Sequence, residues 1–304
     1  MKISLERKMR INLRKISQTI KTRINLRKDS QTKKEPKRKQ SFTDKILNAY
    51  GMFVIFYLMW PILVLMAFSF NSSPFFEFPF PGYTLHWYER MIGDRLLHET
   101  LQTSILIGFT TVLLTVPIAT MLAYAISKFN FRGLSLLYIF ILLPIVSPTL
   151  LLAVAQMNMF GALGMRFGAV TVALGHTTVF IPFVTLIISS GIYGLKPEIL
   201  EAAKDLGADD IKTFRTVTLP LIRDSVVAGA LFAFVLSFNE FFMSLFLAGS
   251  GRGNTFQGFL WSQLQRVVQP DIAAVATMLT VSYIMLMIII SRFVKLDKLF
   301  PQIN

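Results

Sequence analysis

The side chain in this sequence with the clearest potential for chemistry is a carboxylate inside an apolar segment. Glu240 is the only Asp, Glu, Lys or Arg in residues 225–251. An ionisable group in lipid is costly, so it usually serves as a cation or proton site facing the interior of a helix bundle. On a continuous helix, Ser237 and Ser244 would share its face. We therefore take Glu240, Ser237 and Ser244, with the adjacent Asn239, as candidates for a solute pathway.

The sequence does not decide what this carboxylate binds. No Lys or Arg lies in a predicted span to pair with Glu240. Its partner could be a cationic solute, a residue of a second subunit, a proton, or hydrogen-bond donors on neighbouring helices. Cysteine is absent and the three histidines (His86, His98 and His176) are scattered, so we expect no metal site and no catalytic residues. For His176, in the fourth span, we expect a hydrogen-bonded packing role.

The elements that must position these residues follow from hydropathy. Of the 304 residues, 53% are hydrophobic, and the mean hydropathy is +0.56. A bilayer core about 30 Å thick needs roughly 20 apolar residues as a helix. The segments that meet this requirement are residues 48–70, 101–127, 135–156, 170–194, 225–248 and 272–291. The pattern predicts an all-α membrane protein with six transmembrane helices, in which Pro144 and Pro148 either kink the third span or are tolerated there.

A basic segment precedes the first span. Residues 1–45 hold 16 of the 31 Lys and Arg residues, which accounts for most of the net charge of +14. The near-repeats INLRKISQT (residues 11–19) and INLRKDSQT (residues 24–32) contain few large apolar side chains, so this tail is predicted to be disordered. Its charge favours a cytoplasmic N-terminus and attraction to anionic membrane lipid. We expect both termini in the cytoplasm and no nucleic-acid partner.

The predicted cytoplasmic connection between the fourth and fifth spans carries signals for two short helices. Pro197 favours the start of the first helix, and Gly207 favours its end in the left-handed conformation. Asp209 or Asp210 can cap a second helix, over residues 211–218. A Leu-Pro pair then ends that helix. The result is a helix–Gly–helix elbow lying along the membrane face.

The spacing in this connection resembles a known motif. Residues 201–220 read EAAKDLGADDIKTFRTVTLP, which resembles the EAA loop of the binding-protein-dependent transport permeases, the type I ABC importer family. The resemblance implies that residues 201–220 dock on a separate ATP-hydrolysing subunit. Residues 197–220 are called the elbow below. The residues implied in this coupling are Glu201, Ala202, Ala203, Asp205, Gly207, Val217 (where isoleucine is usual), Leu219 and Pro220. The chain has no phosphate-binding loop, so we expect no cofactor in it, and ATP and magnesium in that subunit.

Two further segments resemble the spermidine/putrescine-type permeases within that family. Residues 237–246 read SFNEFFMSLF and include Glu240. Residues 69–73 read SFNSS, and residues 78–90 read FPFPGYTLHWYER. The resemblance implies a polyamine or another small cationic solute as cargo, with ferric ion, thiamine or an opine-like compound as alternatives. The aromatic segment is suited to the membrane interface or to contact with a soluble partner.

Together these features predict a permease subunit of an ATP-driven importer in a bacterial inner membrane, with the type I ABC importer permease fold. The resemblance implies two ATP-binding subunits, a second homologous or identical permease, and an extracytoplasmic solute-binding protein as partners. The predicted parts are a tail (1–45), the first helix with an outer loop (46–97), a permease core (98–292) whose coupling loop is residues 195–224, and a cytoplasmic end (293–304).

Other function classes stay open at this point. An ion-coupled secondary transporter would use Glu240 as a proton or cation site and would need no ATPase. An intramembrane enzyme would need paired catalytic groups, which one carboxylate and distant histidines do not supply. A membrane-tethered nucleic-acid binder would place its function in residues 1–45.

Overall fold

A computed structural model describes residues 42–129, 132–249, 254–265 and 270–293, and the regular structure in these residues is helical. The helices are α1 (Phe42–Phe68), α2 (His86–Ile92), α3 (Arg95–Lys128), α4 (Leu134–Val146), α5 (Thr149–Ala162), α6 (Ala169–Tyr193), α7 (Pro197–Asp205), α8 (Asp210–Thr213), α9 (Leu219–Leu221), α10 (Arg223–Asn239), α11 (Phe242–Leu247), α12 (Phe256–Leu264) and α13 (Pro270–Phe293). The tail was predicted to be disordered over residues 1–45. Residues 1–41 of it lie outside the described residues, and residues 42–45 belong to α1. The chain divides into two compact units, and the second unit starts at Ile62. The helix bundle described next belongs to this second unit.

The core of this bundle is formed by α3, α6 and α10, which pack against one another. Small and branched side chains fill the contact. They are Ala119 and Ala123 of α3, Val184, Ile188 and Ile192 of α6, Ala233 of α10, and Ile222 just before it. Small residues let helix backbones approach closely, which is how membrane helices gain packing energy without a hydrophobic driving force. α3 itself begins after Asp94, whose carboxylate accepts hydrogen bonds from the N–H groups of Leu96 and Leu97.

The predicted third span is not one straight helix. The chain bends by 104° between α4 and α5. Ser147, between them, has an extended backbone, because the ring of the following Pro148 disfavours the helical conformation for the residue before it. The kink that we considered at Pro148 is therefore confirmed, whereas the prediction of one continuous helix over residues 135–156 was wrong.

The predicted fifth span is also interrupted. α10 ends at Asn239, Glu240 has an extended backbone (φ −75°, ψ 123°), and α11 starts at Phe242. The expected continuous helix over residues 225–248 was therefore wrong. The physical reason is local, because the Glu240 side chain takes up N–H groups that a continuous helix would bond within its own backbone.

The lengths and compositions of these helices decide which of them could cross a membrane. Among the described residues, three helical segments are long and apolar enough to cross a membrane, namely Lys45–Phe68, Arg95–Lys128 and Ala169–Tyr193, and two bent pairs would raise this to five. The apolar part of α13, Pro270–Leu286, is shorter. An all-helical membrane protein is confirmed, while the count of six spans and the cytoplasmic position of both termini stay predictions.

The aromatic segment between α1 and α3 folds back on itself. Asn71 and Tyr83 form an isolated antiparallel bridge, and Thr84 N–H donates to the carbonyl of Phe70 over 2.8 Å. The Trp87 indole N–H of α2 donates to the carbonyl of Asn71 over 2.7 Å. Phe78 and Tyr83 stay more than four-fifths exposed, which leaves aromatic surface for an interface or a partner.

The contact between α6 and α10 depends on a glycine. A Cβ added at Gly191 would lie 2.7 Å from the Cβ of Ser225, closer than real carbon atoms approach. We expect Gly191→Ala to lower the free energy of unfolding by about 1–3 kcal/mol, the usual effect of overpacking. Thermal unfolding of the purified protein in detergent micelles measures this.

A matched control is available in α5. A Cβ at Gly161 would meet its nearest neighbour, Phe167, at 3.8 Å. Gly161→Ala should therefore be neutral, or stabilising by up to about 1 kcal/mol through helix propensity. If the Gly191 variant unfolds no earlier than the Gly161 variant, the helices do not approach as closely as described.

Candidate functional site

The first arm of the elbow is α7. Pro197 occupies the first turn, where its missing N–H costs nothing, Glu198 lies near the N-terminus and Lys204 lies in the last turn. The motif residues Glu201, Ala202 and Asp205 are exposed, and Ala203 is half-buried. These side chains are therefore available to another protein surface.

Gly207 ends this arm as predicted. Its φ is +81°, in the left-handed region that favours glycine. The Gly207 N–H donates to the carbonyl of Lys204 over 2.8 Å, and the Ala208 N–H donates to that of Ala203 over 3.0 Å. This pair of bonds is the Schellman motif, which satisfies the last carbonyls of a helix and turns the chain away from its axis.

The second arm begins at a capping aspartate. The Asp209 carboxylate accepts a hydrogen bond of 2.7 Å from the Lys212 N–H, so Asp209 is the cap and Asp210 is free for another role. The predicted α-helix over residues 211–218 was only partly right, because α8 ends at Thr213 and a π-helical turn follows. The wider turn brings the chain to Pro220, which has no N–H to continue an ordinary helical ladder.

The remaining motif residues lie at the end of this arm. Val217 and Leu219 are half-buried, and Pro220 is exposed within α9. The sequence suggested a turn at the Leu-Pro pair. The chain instead turns at Ile222, where the second arm and α10 are bent by 72° relative to each other. Large apolar side chains remain exposed on the elbow, with Leu206 at 89% and Ile211 at 67% of full exposure. Both side chains are therefore available to another surface.

At the second candidate site, Glu240 stabilises the start of α11. One carboxylate oxygen accepts a hydrogen bond of 3.0 Å from the Phe242 N–H, and the other accepts from Met243 (2.7 Å) and Ser244 (3.3 Å). A carboxylate at a helix N-terminus satisfies otherwise unpaired donors and the positive end of the helix dipole. Only 8% of the side chain is exposed. The carboxylate therefore has hydrogen-bond donors in the backbone of its own segment.

A buried polar chain continues from this carboxylate. His176 of α6 is fully buried, with Nε2 3.5 Å from a Glu240 oxygen. Its Nδ1 lies 2.8 Å from the Ser237 hydroxyl, which in turn donates to the Thr111 hydroxyl of α3 over 3.3 Å. The packing role expected for His176 is confirmed. Its contact with Glu240 was missed, because nothing in the sequence places two residues of different spans side by side.

The four candidate pathway residues lie at or beside the break between α10 and α11. Ser237 and Ser244 are buried, and the Ser244 hydroxyl donates to the Glu240 carbonyl over 2.9 Å. Asn239 is exposed and accepts a hydrogen bond of 3.1 Å from the Tyr283 hydroxyl of α13, a residue that sequence reasoning missed. In the described residues no three His, Asp or Glu side chains meet as a metal site requires.

Comparison with known proteins assigns the family. Residues 40–296 match the family described as binding-protein-dependent transport system inner membrane component. The spermidine/putrescine transport system permease protein PotC of Haemophilus influenzae is 30% identical over 242 residues, 80% of this chain and 93% of that protein. The putrescine transport system permease protein PotI of Escherichia coli is 30% identical over 230 residues, 73% and 81% of the two chains.

A solved structure agrees with the fold. A chain of a bacterial ABC transporter that imports the acidic polysaccharide alginate superposes with a TM-score of 0.65, at 16% identity, over 83% of this chain and 98% of that one. This similarity concerns the fold, and the sequence match carries the family. The chain belongs to the family of binding-protein-dependent transport system inner membrane components.

Proposed function

We propose that this chain is the permease subunit of an ATP-driven importer whose cargo is a polyamine such as putrescine or spermidine. The observation that supports this cargo is the similarity, over most of the chain, to two permeases named for spermidine/putrescine and putrescine transport. As a member of its family the chain is a transport component of the inner membrane and not itself an enzyme.

The proposed partners follow from the elbow and the family. Two ATP-binding subunits, each with ATP and magnesium, dock on the elbows of this chain and of a second homologous or identical permease. An extracytoplasmic binding protein delivers the cargo. Closure of the ATPases moves both elbows together and opens the spans outward, and hydrolysis resets them inward. The exposed Ala202 and Leu206 support this role, because they offer a small and apolar surface for docking beside the exposed carboxylate of Glu201.

For the cargo pathway we propose a division of roles at the break between α10 and α11. Asn239, exposed beside Tyr283, contacts the cargo with its amide. Glu240, Ser237 and Ser244 hold the break in place, since their side chains are shielded from water and hydrogen-bonded within the chain. The Asn239 amide is also bonded, to the Val235 carbonyl and the Tyr283 hydroxyl, but it is exposed and can exchange these partners for cargo. A broken helix leaves backbone carbonyls without helical partners, and such carbonyls suit a cationic solute.

Reconstitution tests this function. Proteoliposomes with the permease pair, its co-purified ATPase and the binding protein should accumulate labelled putrescine or spermidine only when ATP is present. ATP-dependent accumulation of ferric ion, thiamine or an opine-like compound, with no polyamine uptake, would contradict the proposed cargo. Accumulation driven by an ion gradient without any ATPase would contradict the importer itself and favour a secondary transporter.

A further inference from the structure

The C-terminal end of α3 contacts the second arm of the elbow through an ion pair and hydrogen bonds. Lys128, the last residue of α3, forms an ion pair with the Asp210 carboxylate and donates a hydrogen bond of 3.0 Å to the Tyr124 hydroxyl. The Tyr124 hydroxyl donates to the Asp210 carbonyl over 3.4 Å. The same few atoms thus join side chains of α3 to both the backbone and the side chain of the elbow.

An aromatic contact adds to this polar one. The rings of Tyr124 and Phe214 lie 4.7 Å apart, and the Lys128 ammonium lies 5.2 Å from the centre of the Tyr124 ring. We call Tyr124, Lys128, Asp210 and Phe214 the α3 clasp. Two of its members belong to α3, and two belong to the elbow after Gly207.

The ion pair of the clasp is partly shielded from water. The Lys128 side chain is 21% exposed and the Asp210 side chain 53%. The hydrogen bond from Lys128 lowers the pKa of the Asp210 carboxyl below its ordinary value, so the carboxylate stays charged to a lower pH than an unpaired aspartate. Aspartate at 210 is free to pair because its neighbour Asp209 takes the capping role.

The clasp matters because the elbow has no direct chain connection to α3. In sequence, the elbow joins α6 on one side and α10 on the other. α3 packs against both over Ala119 and Ala123, and its Thr111 accepts a hydrogen bond from Ser237 of α10. These contacts join α3 to the core helices and not to the elbow, and the apolar ones are not directional. A charged, hydrogen-bonded contact fixes a position much more strictly.

From this geometry we infer that the α3 clasp transmits elbow movement to α3 and remains closed through the transport cycle. The inference rests on the proposed importer function. Movement imposed on the elbow then reaches three helices of the core, α6 and α10 through the chain and α3 through the clasp. Lys128 and Asp210 are positioning residues in this scheme, because neither needs to touch cargo or nucleotide.

Charge variants of the complete transporter test this inference. Lys128→Met and Asp210→Asn are each expected to raise the ATP hydrolysed per polyamine taken up by at least about fivefold, the lower range of coupling between sites. The reversed pair, Lys128→Asp with Asp210→Lys, should return the ratio close to that of the unmodified protein. Arg132→Met is the control, because Arg132 is exposed and lies just after α3 outside the clasp.

Each further outcome has a defined meaning. If the unmodified complex retains no ATPase, the proposed function fails before the clasp is tested. If the unmodified complex is coupled and the single variants behave like Arg132→Met, the inference is overturned. It is also overturned if the reversed pair is as defective as the single variants, or if the variants lose the ATPase on purification, which would indicate a docking role.

Discussion

Replacing Gly207 by proline is expected to abolish coupled uptake while leaving the protein in the membrane. The native φ of +81° is closed to proline, whose ring fixes φ near −65°. Proline also removes the N–H that donates to the Lys204 carbonyl. Both arms of the elbow would then change direction, and the ATPase would no longer push on the same surface. We expect polyamine uptake to fall by about tenfold or more, the effect of roughly 1.4 kcal/mol in coupling.

Two milder replacements of Gly207 isolate the cause. A Cβ at this position meets no atom within 4 Å, so any defect in Gly207→Ala comes from backbone strain of roughly 1–2 kcal/mol. Asparagine tolerates the left-handed region better, and Gly207→Asn should retain more uptake than Gly207→Ala. Uptake and ATP hydrolysis by proteoliposomes measure the series. Full coupled uptake by the proline variant would remove the elbow from the mechanism.

The first arm of the elbow and its end at Gly207 could be predicted because their signals act locally. Pro197, Gly207 and Asp209 each decide the conformation of residues within one turn of themselves, through a missing N–H, a positive φ and a capping carboxylate. No distant contact is needed to fix them. The π-helical turn before Pro220 was not predicted, since it depends on how two arms and a proline are joined end to end.

The break at Glu240 is a feature that local sequence signals did not predict. Apolar composition alone describes residues 225–248 as a helix, and nothing nearby is a strong helix breaker. The break is stabilised by three N–H groups on one carboxylate, and it lies against His176 of another helix. Asn239 beside Glu240 offered a weak signal, because polar side chains compete with the backbone for its hydrogen bonds.

The bend at Pro148 lies between these two cases. Its position follows from the rule for residues that precede proline, but its size of 104° does not. The direction of α5 is set by long-range contacts, such as the hydrogen bond of 2.7 Å from the Gln156 amide to the Thr178 hydroxyl of α6. Sequence patterns therefore located the bend without its geometry.

Glu240→Gln is expected to destabilise the permease and to reduce polyamine uptake together. A glutamine can offer one oxygen to the N–H groups of Phe242, Met243 and Ser244, but its amide NH₂ repels the others. Hydrogen bonds to a charged acceptor contribute about 1.5–3 kcal/mol each, so we expect the free energy of unfolding to fall by about 1–3 kcal/mol. Thermal unfolding in detergent and uptake by proteoliposomes give the two measurements.

The pattern of the two effects separates a capping role from direct cargo binding. If Glu240 holds the break, Glu240→Gln leaves less of the protein active and does not change the KM for polyamine. Asn239→Ala then raises the KM with little loss of stability. If Glu240 instead binds the cargo, Glu240→Gln raises KM and leaves unfolding unchanged, which would contradict the division of roles proposed above. Glu77→Gln is the control, because it makes the same replacement at an exposed carboxylate between α1 and α2.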